Sequence, residues 1–151
     1  MIVYLDSSVL VRVYLADEDG HEEATALLAN PDTATVTGTW TRIEASGALV
    51  RAARAGRGDE QSLLSLLDAD LSADGPVTVI SLPQERVEDR ALEIVRTHAL
   101  RAMDAWHLAV AELALPDLVE PGEVPNFATR DAAQAVVAER LGLKPLAARG
   151  A

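Results

Sequence analysis

The N-terminal stretch MIVYLDSSVLV, residues 1–11, contains the pattern that decides the fold. Residues 2–5 form a short apolar run of β-forming side chains, which an aspartate and two serines follow directly. Apolar residues then recur at helical spacing as far as Tyr14, and Asp6 or Ser7 stands where a helix N-cap is expected. The stretch therefore predicts a strand, a polar turn and a helix, which is the first unit of an α/β domain.

The same alternation continues along the chain. Further strands are expected at residues 35–37, 77–80 and 126–129, with a last extended piece at 144–146. Helices are expected at residues 21–29, from Gly38-Thr39 to about Arg54, and at 59–71, 84–99, 102–115 and 131–141. Residues 116–125 are expected to form a loop. Without a repeat or a linker, the pattern predicts a single domain over residues 1–151, with a central parallel sheet of about five strands flanked by helices.

Composition narrows the class of protein. Hydrophobic residues make up 49% of the 151 residues, which is enough for a buried core. No apolar run approaches the roughly 20 residues that a membrane helix needs. The start lacks the pattern of a secretory signal, and the chain has no cysteine. We therefore expect a cytoplasmic protein that does not enter a membrane.

The net charge of −11 argues against a passive nucleic-acid-binding module, because phosphate backbones attract basic surfaces. The objection is weaker for a metal-dependent nuclease, since cations bound by several carboxylates reverse the local field that a phosphate meets.

Four acidic residues map to the edge of the sheet where α/β proteins form their sites. Asp6 follows the first strand, and Asp131 follows the strand at 126–129. Glu44 lies early in the helix after the second strand, and Asp104 lies in the first turn of its helix. Such an edge, beyond the carboxyl ends of the strands, predicts that the four carboxylates converge.

Each acid also has a structural alternative. Asp6 and Asp131 could be ordinary N-caps, and Glu44 could be a solvated helix residue. Asp104 is harder to explain in this way, because Leu108 one turn later places it on an apolar face. An acid on such a face needs a partner, a metal or a shifted pKa.

Converging carboxylates imply a cation. Two carboxylates about 5 Å apart repel by roughly 3 kcal/mol at an effective dielectric constant near 20. Hard cations relieve this repulsion, and ligation by oxygen alone suits Mg²⁺ or Mn²⁺. One or two such ions could support phosphodiester hydrolysis. The histidines lack metal-ligand spacing; His107 is expected to be a partly exposed helix residue, with a supporting role at the site as the alternative.

Four stretches of the chain together resemble a known family, the PIN-domain ribonucleases, and within it the VapC-type toxins of VapBC toxin–antitoxin pairs. The stretches are MIVYLDSSVLV, TRIEASGALVRA, LRAMDAWHLAVAEL and FATRDAAQAVVAERLGLKPL. The resemblance implies an endoribonuclease that uses Mg²⁺ or Mn²⁺ to cut RNA, forms a homodimer and is inhibited by a VapB-type antitoxin. It implies catalytic and metal-binding roles for Asp6, Glu44, Asp104 and Asp131, and supporting hydroxyls at Ser7, Ser8 and Thr129.

Two other functions remain open at this point. A catalytically silent interaction module could have the same fold. A phosphoacceptor receiver domain is also an acidic α/β protein of this size, and Lys144-Pro145 resembles its terminal lysine-proline pair. If the protein cuts RNA, its preference is expected to depend on the groove around the acids, with Arg12, Arg42 and Arg130 as candidate contacts.

Overall fold

The computed structural model describes residues 1–147, and its centre is a five-stranded sheet in which every pairing is parallel. The strand order is β3-β2-β1-β4-β5, so the first strand lies in the middle. The strands are β1 (Ile2–Leu5), β2 (Ala34–Gly38), β3 (Val77–Ile80), β4 (Asn126–Thr129) and β5 (Lys144–Ala147). The predicted fold class is confirmed; residues 148–151 of the predicted domain lie outside the described residues.

Strand β1 is buried on both faces, because successive side chains of a strand point to opposite sides of the sheet. Ile2 and Tyr4 belong to one core cluster, and Val3 and Leu5 belong to the other. Helices cover both faces, as parallel sheets require. The helices are α1 (Ser7–Leu10), α2 (His21–Ala29), α3 (Thr41–Arg54), α4 (Glu60–Asp70), α5 (Gln84–His98), α6 (Ala102–Ala114) and α7 (Ala132–Arg140). Helices α5, α6 and α7 pack on the first cluster, and α1 to α4 pack on the second.

The strand order creates a crevice between β1 and β4. After β1 the chain continues to β2 on one side, whereas β4 pairs with β1 on the other side. In parallel sheets, ligands bind beyond the carboxyl ends of the strands at such a switch of direction. Asp6 and Asp131 follow the two strands that border this point.

Several predicted element bounds needed correction. The first helix was expected to extend to Tyr14, but α1 ends at Leu10 and a 3₁₀ turn follows at Val11–Val13, where β-branched residues disfavour a longer α-helix. Helix α3 begins at Thr41 and not at Gly38, because Gly38 still pairs with β3 opposite Ile80. Within residues 1–147, no helix is long and apolar enough to cross a membrane.

Candidate active site

Asp6 is a buried carboxylate at the end of the central strand. Its side chain is 5% exposed, and its backbone N–H donates to the Ala128 carbonyl of β4 at 3.0 Å. Asp6 is also the N-cap of α1: Oδ2 accepts the backbone N–H of Ser8 at 3.1 Å and the Ser8 hydroxyl at 2.6 Å. The predicted capping role is therefore correct, but a simple cap has no need to be buried.

Asp131 combines the same two features at the start of α7. Its Oδ1 accepts the backbone N–H of Gln134 at 2.8 Å, which makes it the N-cap of the helix. Its own N–H donates to the Thr129 hydroxyl at 3.0 Å. Thr129 is buried, and its hydroxyl holds the Asp131 backbone from the side that faces the protein interior.

Glu44 makes a contact that the sequence did not indicate. Its Oε1 lies 2.5 Å from Nε2 of His107, which is on α6. His107 is fully buried, so the prediction that it would be a partly exposed helix residue is wrong. The alternative prediction, a supporting role at the site, agrees with its position between Glu44 and the Tyr4 hydroxyl, which lies 2.7 Å from Nδ1. The Glu44 side chain is 27% exposed, so it is not the fully solvated residue of the structural alternative.

Asp104 is half-buried in the first turn of α6. Burial raises the pKa of its carboxyl above the usual value, and the negative charges of Asp6 and Asp131 raise it further. His107 and Arg101 act in the opposite direction. Asp104 therefore lies in the field of two of the other predicted site acids, although they are far from it in sequence.

All four predicted acids line one open cavity of about 530 Å³. Ser7 and Ser8 also line it, whereas Thr129 does not and acts through Asp131. The acids come from the end of β1, from α3, from α6 and from the start of α7. The structure thus places the four acidic residues around one cavity, beyond the carboxyl ends of β1 and β4.

A family model for the PIN domain matches residues 3–119. The chain belongs to the PIN domain family. The matched range includes Asp6, Glu44 and Asp104 and ends before Asp131. The strand order also differs from the 2-1-3-4-5 order of flavodoxin-like and receiver folds, so the receiver-domain alternative is excluded. A search of curated proteins found no match.

Solved structures with the same fold include components of toxin–antitoxin pairs. VapC20 of Mycobacterium tuberculosis, a sarcin-ricin loop cleaving toxin, is 17% identical with a TM-score of 0.64, over 89% of this chain and 94% of that chain. VapBC2 of Rickettsia felis, bound to a DNA fragment from its promoter, is 12% identical with a TM-score of 0.62, over 97% of this chain and 98% of that chain. VapBC-1 of nontypeable Haemophilus influenzae is 17% identical with a TM-score of 0.58, over 98% of each chain. At these identities the likeness is one of fold.

The donor set of this PIN domain is suited to a hard divalent cation, because the cavity offers several carboxylates and hydroxyls and the chain has no cysteine thiolate. Repulsion at Asp104 also indicates a place where positive charge would be stabilising. Among residues 1–147, no three acidic or histidine side chains are arranged as a ready-made metal cage. This arrangement is compatible with Mg²⁺, which usually retains waters and takes only one or two carboxylates with substrate phosphate.

Gln134 is a site residue that sequence reasoning missed. It is fully buried, and its Oε1 accepts the Thr129 hydroxyl at 2.6 Å. Its Nε2 donates to the Asp104 carbonyl at 3.1 Å and approaches Asp6 Oδ1 at 3.4 Å. The spacing of Asp131 and Gln134 resembles a capping box, and this signal could have marked the residue.

Among residues 1–147, Arg51 and Arg101 line this cavity of the PIN domain, whereas the candidate RNA contacts Arg12, Arg42 and Arg130 do not. Arg42 pairs with Asp68 at 2.8 Å on the surface. The Arg12 guanidinium binds the backbone carbonyls of Ser8 and Asp19. The backbone N–H of Arg130 donates to the Ser8 hydroxyl. Arg51 and Arg101 are both exposed, which leaves them accessible to an anionic ligand.

Proposed function

We propose that this PIN domain is an endoribonuclease of the VapC toxin type that hydrolyses RNA phosphodiester bonds with Mg²⁺ or Mn²⁺. The observation that carries the proposal is the convergence of Asp6, Glu44, Asp104 and Asp131 on one open cavity at the switch point of the sheet. Family membership and the likeness to VapC structures support the same activity.

The chain's own residues would organise this chemistry in distinct ways. Asp6, Glu44, Asp104 and Asp131 would hold the cation, either directly or through its bound waters. The bound cation would neutralise the carboxylates and stabilise charge on the phosphate in the transition state. Ser8 fixes one oxygen of Asp6, and Thr129 holds the backbone of Asp131, so two of the acids are positioned before a ligand arrives.

Arg51 and Arg101 would help to attract RNA to a chain whose net charge is −11. Positive side chains beside a cavity raise the local concentration of an anionic substrate even when the whole protein is acidic. They would contact the phosphate backbone and therefore favour RNA of any sequence.

The proposed partners follow from the same comparison. Two of the similar structures are VapBC complexes, and we propose that a VapB-type antitoxin inhibits this protein. A homodimer and a cytoplasmic location complete the proposal. Co-purification with a co-expressed antitoxin candidate, and loss of cleavage in that complex, would test the partner separately from the activity.

The activity is tested by incubating the purified chain with a labelled RNA in Mg²⁺, in Mn²⁺ and in EDTA. We expect internal cleavage only with a divalent cation. Asp6→Asn and Asp104→Asn should abolish it, because each removes a charge that the cation needs. Asp68→Asn is the matched control, since it removes one surface carboxylate that does not line the cavity.

Two results would contradict the proposal. Cleavage that persists in EDTA, or in the folded Asp104→Asn variant, would show that these carboxylates do not hold a catalytic cation. A wild-type chain that binds neither Mg²⁺ nor Mn²⁺ in a calorimetric titration would favour the silent interaction module.

A further inference from the structure

His107 joins two polar groups that lie far apart in sequence. Nε2 is 2.5 Å from Glu44 Oε1 on α3, and Nδ1 is 2.7 Å from the Tyr4 hydroxyl on β1. The imidazole is 1% exposed, so water cannot replace either partner. The same Nε2 lies 3.6 Å from Asp6 Oδ1, which brings the ring beside two of the four site acids.

The direction of the two hydrogen bonds follows from the chemistry of the partners. An ionised carboxylate only accepts, so Nε2 carries the proton and donates to Glu44. In a neutral imidazole Nδ1 is then the acceptor, and the Tyr4 hydroxyl donates to it. A phenol has an ordinary pKa of about 10 and is protonated at neutral pH, so the Tyr4 hydroxyl is able to donate.

The ring is also fixed by aromatic neighbours. Tyr4 stacks on Phe127 with ring centroids 5.3 Å apart, and Trp106 meets His107 edge to face at 5.2 Å. A rotation of the imidazole would break both hydrogen bonds and this packing together. The histidine therefore has one orientation available, and that orientation points a donor at Glu44.

We propose that His107 is a positioning residue that aims the Glu44 carboxylate into the cavity. With Oε1 held by His107, Oε2 makes no hydrogen bond within residues 1–147 and is available to a ligand. The inference rests on the proposed cation-dependent activity and adds a residue to it. Partners that orient a ligating side chain typically change metal affinity or activity by about 10- to 100-fold when they are replaced.

A matched pair of substitutions tests the contact with Glu44. In His107→Gln the amide nitrogen takes approximately the place of Nε2, and in His107→Asn it takes approximately the place of Nδ1. Both variants remove the ring, but only glutamine can reach Glu44. His98→Gln is the control, since His98 lies at the end of α5 and does not line the cavity.

Mn²⁺ affinity, measured by electron paramagnetic resonance, is the main readout, with kcat and KM for RNA beside it. We expect His107→Asn to bind Mn²⁺ about 10- to 100-fold more weakly. Its kcat for RNA cleavage should fall by a larger factor than the factor by which its KM changes. His107→Gln should remain close to wild type. Equal losses in the two folded variants, or no loss in His107→Asn, would overturn the inference.

Two further measurements separate this inference from the proposed function. Tyr4→Phe keeps the ring of His107 and should reduce Mn²⁺ affinity through loss of orientation alone; an unchanged affinity would contradict the argument. Nitrogen-15 shifts of His107 in the metal-free wild-type chain should show the Nε2–H form, and the Nδ1–H form would overturn it. Absence of Mn²⁺ binding to the wild type would instead be a failure of the proposed function.

Discussion

Replacing Gln134 with leucine should destabilise the protein by removing its buried side-chain hydrogen bonds, of which the bond with the Thr129 hydroxyl can be measured separately. Leucine is similar in volume but cannot accept the Thr129 hydroxyl proton, which Gln134 Oε1 now accepts at 2.6 Å. Thr129 is 2% exposed, so its hydroxyl could not donate to water instead. A buried donor without a partner costs about 1–3 kcal/mol. For a chain of this length, the loss corresponds to a decrease in Tm of roughly 3–9 °C.

A double-mutant cycle isolates this interaction from the general effect of the substitution. Thr129→Val removes the hydroxyl, so Gln134→Leu should cost less in that background than in the wild type. The coupling free energy should be about 1 kcal/mol or more, because the two groups are in direct contact. Urea unfolding in metal-free buffer, followed by circular dichroism, gives the four free energies.

The same variant should also reduce RNA cleavage. Gln134 Nε2 holds the Asp104 carbonyl and lies close to Asp6 Oδ1, so its loss frees two parts of the site. A Gln134→Leu variant that unfolded at the wild-type urea concentration, or two substitutions whose effects were strictly additive, would contradict this prediction. Either result would mean that the buried pair contributes nothing as a pair.

Three more outcomes are expected. Asp104→Asn should raise the free energy of unfolding at pH 7 in EDTA, because the pKa of the Asp104 carboxyl is higher in the folded state than in the unfolded state and its ionised form is therefore destabilising. The gain should disappear below about pH 4, where the carboxyl is protonated in both states, and urea unfolding at several pH values measures it. Gly38→Ala should cost about 1–3 kcal/mol in thermal unfolding, since the added Cβ would lie 2.7 Å from the Trp106 ring. Arg51→Ala and Arg101→Ala should raise KM for RNA and leave kcat unchanged, and each should reduce the salt dependence of log KM by roughly 0.7 if it contacts a phosphate.

The sequence predicted the sheet well because its strands are short apolar runs between turn residues. Strands β3 and β4 have the predicted bounds, and β1 is the fully buried run that its composition indicated. Bounds that depend on pairing were less accurate. Gly38 belongs to β2 because Ile80 on another strand pairs with it, and local preferences do not contain that information.

The placement of the acids was predictable from the same source. A residue that directly follows a parallel strand must lie at the carboxyl edge of the sheet, so Asp6 and Asp131 could be placed from the strand pattern alone. Helix phase was enough to single out Asp104, which is half-buried with a raised pKa. Glu44 had no such local signal, and the structure brings it to the cavity through α3.

The polar residues behind the acids were not predictable, because their partners are distant in the chain. Tyr4 and His107 are separated by 103 positions, and His107 and Glu44 by 63. A histidine in an apolar helix is compatible with exposure until a phenol and a carboxylate are known to face it. Burial of such a ring without partners would be costly, so both contacts are needed to keep it inside. The same burial that hid His107 from sequence reasoning gives it a single orientation, and this is why its effect on Glu44 can be tested with amides that reproduce one nitrogen at a time.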